Sequence, residues 1–267
     1  MLHPDEIRSM NRREPREIGK IPWSAGDNCK RNMPGRSFKI PEPSPAVVQR
    51  ANQIVSQAGA RTARGKAIAL FRFVRDSIKF GFSGKFDLAS PEETLRLGIG
   101  HCNPQGALFA SLLQAEGIPA RQHFVNLGNG VLRGVLRSAP PRLAHSYVEV
   151  HLPSPGEWLR VDAYIADPPL FHAAKSRLVK EGRKEGYGIH VDGSNEWDGR
   201  SDSFCQMADE DSQVSQDLGV FDEPHIFYGS QRNFQRLPWP ISSVFGLIAA
   251  IPNSACDTIR REYVGDD

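Results

Sequence analysis

Several large classes of protein are excluded by what this chain lacks. Its 267 residues hold four cysteines, Cys29, Cys102, Cys205 and Cys256. No two form a C-x-x-C pair, so zinc-ribbon and thioredoxin-type readings lose their signature. Cysteines this sparse and scattered point to a reducing compartment. There is no run of about 18 apolar residues; the best candidate, Ile241 to Ile251, is short and is interrupted by Ser242 and Ser243. The opening Met1-Leu2-His3-Pro4-Asp5-Glu6 lacks the apolar stretch of a secretory signal. The expectation is a soluble cytoplasmic protein without a membrane partner. The H-E-x-x-H and D-x-D-x-D-G spacings of zinc and calcium sites are missing too, so no metal is expected despite the adjacency of His101 and Cys102.

An excess of charge is also missing: the formal net charge is +2. Without a global field or a recognisable motif, a nucleic-acid partner is not expected. The charge is uneven, however. Residues 1–44 carry nine basic against six acidic side chains, and residues 172–267 carry ten against sixteen. One reading is an acidic C-terminal part packed on a basic core, and the other is a basic cleft for an acidic substrate. Residues 201–223 hold seven acids and no Lys or Arg, a run expected to be solvated surface or a flexible loop.

What is present is concentrated around Gly98-Ile99-Gly100-His101-Cys102-Asn103-Pro104-Gln105. A glycine-punctuated turn runs into a helical pattern carried by Ala107, Leu108, Leu112, Leu113 and Ala115, and Gly117 with Pro119 closes it. Pro104 suits the first turn, which puts Cys102 at or beside the N-cap. Free N–H groups and the helix dipole there favour a thiolate, the nucleophilic form of cysteine. Upstream, Ser44-Pro45, Thr62 and Ser90-Pro91-Glu92-Glu93 each begin a helix, the last as a capping box.

Downstream, Ala144-His145-Ser146-Tyr147-Val148-Glu149-Val150-His151-Leu152 alternates as a strand does, Pro153-Ser154-Pro155-Gly156 turns, and Glu157-Trp158-Leu159-Arg160-Val161-Asp162 forms the return strand. A histidine opens one strand and an aspartate closes its neighbour. Packed against the helix, the three side chains have the types needed for an aspartate to orient an imidazole that activates a thiol.

Together with Ala115-Glu116-Gly117-Ile118-Pro119-Ala120-Arg121, these segments resemble the transglutaminase-like superfamily over roughly residues 45–171. The resemblance implies a papain-like core with Cys102, His145 and Asp162 as the catalytic triad. Asp162-Ala163 stands where many members have Asp-Pro, which loosens assignment to a subfamily. The expected fold class is α+β. It comprises an N-terminal arm or leader (1–44), a core with the nucleophile at a helix N-terminus packed on an antiparallel sheet (45–171), and a mixed C-terminal elaboration (172–267). The implied activity is thiol-dependent acyl transfer on an amide or thioester carbonyl of a peptide, protein or small molecule. The thioester would be resolved by an amine or by water, with no cofactor. A cysteine peptidase or amidase, and a non-catalytic interaction module, remain alternatives. Asn103 and Gln105 are weak candidates for a second oxyanion donor. Arg133, Arg137 and Arg142 in the 126–143 insertion are candidate substrate contacts or plain solvated charges. His123 reads as a sheet-face residue. The oligomeric state has no signature.

Overall fold

A computed structural model describes residues 42–136, 141–154, 156–208, 214–221, 227–228 and 241–263. The expected arm, Arg137 and Cys29 fall outside them, apart from the last three residues of the arm.

Two amphipathic helices come first, α1 (Pro45–Gln57) and α2 (Ala63–Ser77). Each starts where a hydroxyl accepts from the first turn: Val47 N donates to Ser44 Oγ (3.4 Å) and Gly65 N donates to Thr62 Oγ1 (3.1 Å). Val47, Ala51, Ile54 and Val55 of α1, and Ala67, Leu70, Phe71 and Val74 of α2, form their buried stripes. A short strand β1 (Lys79–Phe80) leads through a 3₁₀ turn at Phe86–Leu88 to α3 (Pro91–Leu97). Both arms of the capping box are made there: Glu93 N donates to Ser90 Oγ (3.2 Å), and Ser90 N donates to Glu93 Oε2 (3.0 Å). Strand β2 (Ile99–Gly100) then pairs in parallel with β1.

Helix α4 (Cys102–Ala115) is the centre of the molecule. Cys102 through Leu113 are all buried. A helix apolar on every side must be covered on every side, and α1, α2, α3 and two strands pack around it. It ends in a Schellman motif: Gly117 N bonds Gln114 O (3.0 Å), Ile118 N bonds Leu113 O (3.0 Å), and Gly117 takes φ +70°. The covering strands are β3 (Ala120–Gly128) and β4 (Arg142–His151) of an antiparallel sheet that β5 (Trp158–Val161) extends. Ala120 pairs with Val150 and Gly128 with Arg142, while Val148 pairs with Val161.

The remainder is helix α5 (Pro168–Glu181), a two-residue hairpin of β6 (Glu185–Gly186) and β7 (Ile189–His190), strand β8 (Val214–Phe221), and helices α6 (Ile241–Ile248) and α7 (Ala250–Arg260). One expectation is corrected. Part of the acidic run, residues 214–221, is not loop: β8 is the fourth strand of the sheet, on the open edge of β3, in the order β5-β4-β3-β8. Pro168 and Pro169 open α5, which Asp167 N-caps. Helices α6 and α7 meet at Ala249, and Pro252 sits in the first turn of α7 where its missing N–H costs nothing. No helix among the described residues is long and apolar enough to cross a membrane.

Candidate active site

Cys102 is the first residue of α4, with His101 at the N-cap. His101 makes no capping bond with its side chain. It is turned instead to Asp87, with Nε2 2.9 Å from Oδ1. The same oxygen accepts from Asn103 Nδ2 at 2.8 Å. One buried carboxylate therefore holds the residues on both sides of Cys102. Asp87 lies in the 3₁₀ turn, where Phe86 takes φ +50° and stacks on His101 with ring centroids 4.7 Å apart. A non-glycine residue at such a φ is costly and persists only where its surroundings fix it. With Nδ2 committed to Asp87, the Asn103 Oδ1 is left facing the thiol, which donates to it at 3.5 Å.

His145 comes from β4 and Asp162 from the residue after β5. His145 Nε2 is 2.9 Å from Asp162 Oδ2. The other Asp162 oxygen accepts the backbone N–H of Cys205, and Asp162 N donates to Ser203 O (3.0 Å), so a segment around residues 203–205 fixes the carboxylate from behind. His145 Nδ1 makes no hydrogen bond to Asp162 or to any other oxygen or nitrogen among the described residues. This leaves it for the sulfur of Cys102. Burial disfavours the imidazolium, but the hydrogen bonds of Asp162 and Cys102 and their charges outweigh it, and the pKa of His145 is raised to about 9. Cys102 keeps 9% of its surface, whereas Cys205 and Cys256 are fully enclosed. Burial pushes the thiol of Cys205 far up, and that of Cys256 to about 12.

The three residues expected to act together are thus brought together. The other expectations fare differently. Asn103 Nδ2 gives one hydrogen to Asp87 Oδ1 and Gln105 Nε2 gives one to Ile78 O (2.8 Å). Arg133 and Arg142 are exposed. His123 does lie on the sheet, but between Glu149 (2.8 Å) and Asp217 (2.7 Å). Asp87 and Gln122, which hold the site, carry no motif. The one signal for Asp87 is an acid followed by the Ala89-Ser90-Pro91 helix start.

A cavity of about 410 Å³ runs along α4, bounded by Ala107, Ala110, Ser111, Gln122, Asp87 and Tyr228. Cys102 does not line it. Asp87 and Tyr228 are neighbours in its wall, and the Tyr228 phenol is pushed far up by burial and then by the charges of Asp87 and Cys102.

A thiol at a helix N-terminus, a strand-borne imidazole and a carboxylate behind it define the papain-like class of α+β cysteine-enzyme folds. Residues 48–163 match the model of the transglutaminase-like superfamily. Among solved structures, the chain is similar to a candidate cysteine protease from Cytophaga hutchinsonii, with 19% identity and a TM-score of 0.35. That match spans 47% of this chain and 41% of the other. No curated protein is significantly similar to the chain.

Proposed function

We propose that the protein is a thiol acyl-transfer enzyme in which Cys102, His145 and Asp162 are the catalytic residues. The observation that carries this is the position of His145, with Nε2 on Asp162 and Nδ1 left to the sulfur of Cys102 at the start of α4. His145 takes the thiol proton and Asp162 holds the imidazolium. The Cys102 sulfur attacks the carbonyl carbon of an amide or thioester. The oxyanion that forms receives the Cys102 N–H, which at the first helical position has no intrahelical acceptor. When the intermediate collapses, His145 returns the proton to the departing amine or thiol and a Cys102 thioester remains. His145 then deprotonates water or an amine, which attacks the thioester and releases Cys102. The two endings are hydrolysis and amide formation. The cavity beside α4 gives room for the acyl portion or for the acceptor.

The test is alkylation of Cys102 by iodoacetamide against pH, followed by peptide mapping, in wild type and His145→Ala. Rapid labelling below about pH 7 that disappears without His145 is the expected result. Labelling that rises only around an ordinary thiol pKa of about 8.5, with or without His145, removes the catalytic reading and favours a binding module.

A further inference from the structure

Gln122 lies in β3, outside the three catalytic positions, and is almost wholly buried. Both hydrogens of its amide are used. Gln122 Nε2 donates to the backbone carbonyl of Asn103 at 2.8 Å and to Ser146 Oγ at 2.7 Å. Asn103 follows Cys102 in the chain and Ser146 follows His145. One planar NH₂ group therefore ties the residue beside the nucleophile to the residue beside the base, across the gap between helix and sheet. The Asn103 carbonyl accepts only from a donor, so the amide cannot be turned over without losing that bond. Space for it is made by Gly106, one turn along α4 from Cys102. A Cβ there would lie 2.7 Å from Gln122 Nε2 and 2.9 Å from the Tyr164 hydroxyl.

We infer that Gln122 is a positioning residue whose amide sets the separation of Cys102 and His145, and that Gly106 is small in order to admit it. The inference rests on the triad proposed above. Neither residue touches the reacting atoms. Their effect is on how much of the reactivity of Cys102 comes from His145, because proton transfer from sulfur to ring nitrogen is steep in distance.

Gln122→Met keeps the length and apolar stem and removes both N–H donors. The expected result is a fall of roughly ten- to a hundredfold in Cys102 alkylation at about pH 6.5. At about pH 10 an ordinary thiol is already ionised, and there the rate should match wild type. In a His145→Ala background Gln122→Met should change nothing further. Gly106→Ala, which displaces the same amide without altering it, should give the same loss, and the double variant should be no worse than either. Ser146→Ala, which leaves the Asn103 bond, should fall in between. If Gln122→Met does not fold, as judged by circular dichroism, Gly106→Ala and Ser146→Ala carry the test. Wild-type reactivity at low pH in these variants overturns the inference alone, as does an equal loss at both pH values or in the His145→Ala background. Wild-type protein with no His145-dependent labelling overturns the triad, and the inference with it.

Discussion

His145 Nε2 stands 2.9 Å from Asp162 Oδ2, and the two side chains keep 2% and none of their surface. Burial opposes the charge, but the hydrogen bonds and charges of Asp162 and Cys102 outweigh it and raise the pKa of His145 from 6.5 to about 9. The imidazolium should therefore persist through neutral pH, ready to protonate a leaving group. A rate profile should show an alkaline limb near 9, where that proton is lost. Asp162→Asn removes the largest contribution that raises the pKa, so the limb should move to lower pH as the rate drops. The same shift fixes the sign for stability: a folded-state pKa above the unfolded one stabilises the fold below about 6.5, and the contribution is lost as pH rises to about 9. An alkaline limb unmoved by Asp162→Asn would contradict the assignment.

Selectivity among the thiols follows from burial. Cys205 and Cys256 have no exposed surface and thiols shifted upward, while Cys102 opens a helix and is partly accessible. Peptide mapping after brief iodoacetamide treatment near pH 7 should find Cys102 modified, with Cys205 and Cys256 intact. Cys102→Ser should remove that adduct. Modification of Cys205 in the native protein would show that the segment holding Asp162 opens.

The clasp around Cys102 makes a further prediction. Asp87→Ala leaves the donors of His101 and Asn103 buried and unpaired, at a cost of roughly 1–3 kcal/mol for each. Asp87→Asn keeps an acceptor oxygen and should recover most of the loss. Thermal melts of the two variants beside wild type check this, and equal melting temperatures for Asp87→Ala and wild type would refute it.

The three positions proposed as catalytic can be read from the sequence because each is signalled by local chemistry. Pro104 and Gly117 bracket the helix that opens at Cys102, and alternation on either side of Gly156 marks the strands that bring His145 and Asp162 together. Helices α1, α2 and α3 were legible for the same reason, since Ser44, Thr62 and Ser90 satisfy their own first turns. What escaped is held by distant partners. Strand β8 hides in an acidic run because Asp217 is matched by His123, 94 residues away in sequence. Asp87 sits in an irregular turn with no period to flag it, and the role of Gln122 exists only once helix and sheet have met.

His123 gives a second pH-dependent element, and this one bears on the edge of the sheet. It faces Glu149 of β4 and Asp217 of β8, the Tyr147 hydroxyl lies 3.0 Å from Nδ1, and Arg121 is paired to Glu149 at 2.5 Å. A neutral imidazole has one N–H and cannot donate to both carboxylates. Burial works against the charge, but the two carboxylates raise the pKa of His123 above 6.5. Its contribution to stability is complete below about 6.5 and fades as pH climbs through the raised value. Hydrogen exchange of the β8 amides should speed up with pH by more than the intrinsic rate, and His123→Gln should flatten that excess. Exchange that follows only the intrinsic rate would mean that β8 is held by other contacts.

A buried ion pair ties α7 to the core, beside the two hydrogen bonds between Asn253 and the Phe82 backbone (2.8 and 2.9 Å). Asp167 N-caps α5 at Leu170, accepts from Phe80 N (3.1 Å), and receives Arg260 of α7 on both oxygens (2.9 and 2.6 Å). Arg260 also donates to Phe80 O at 2.7 Å. Phe80 belongs to β1, which is paired with the strand leading into Cys102. Deleting one member of a buried pair strands the other, at a cost of roughly 3–5 kcal/mol. Arg260→Met should therefore lower the urea midpoint sharply, and Asp167→Asn should do so too, with the added weakening of a cap. Replacing both should cost less than the sum of the two, because neither charge is then left alone. Equal midpoints for Arg260→Met and wild type would show that α7 is held by its apolar face, through Cys256 and Ile259, and that the ion pair adds nothing to the joint.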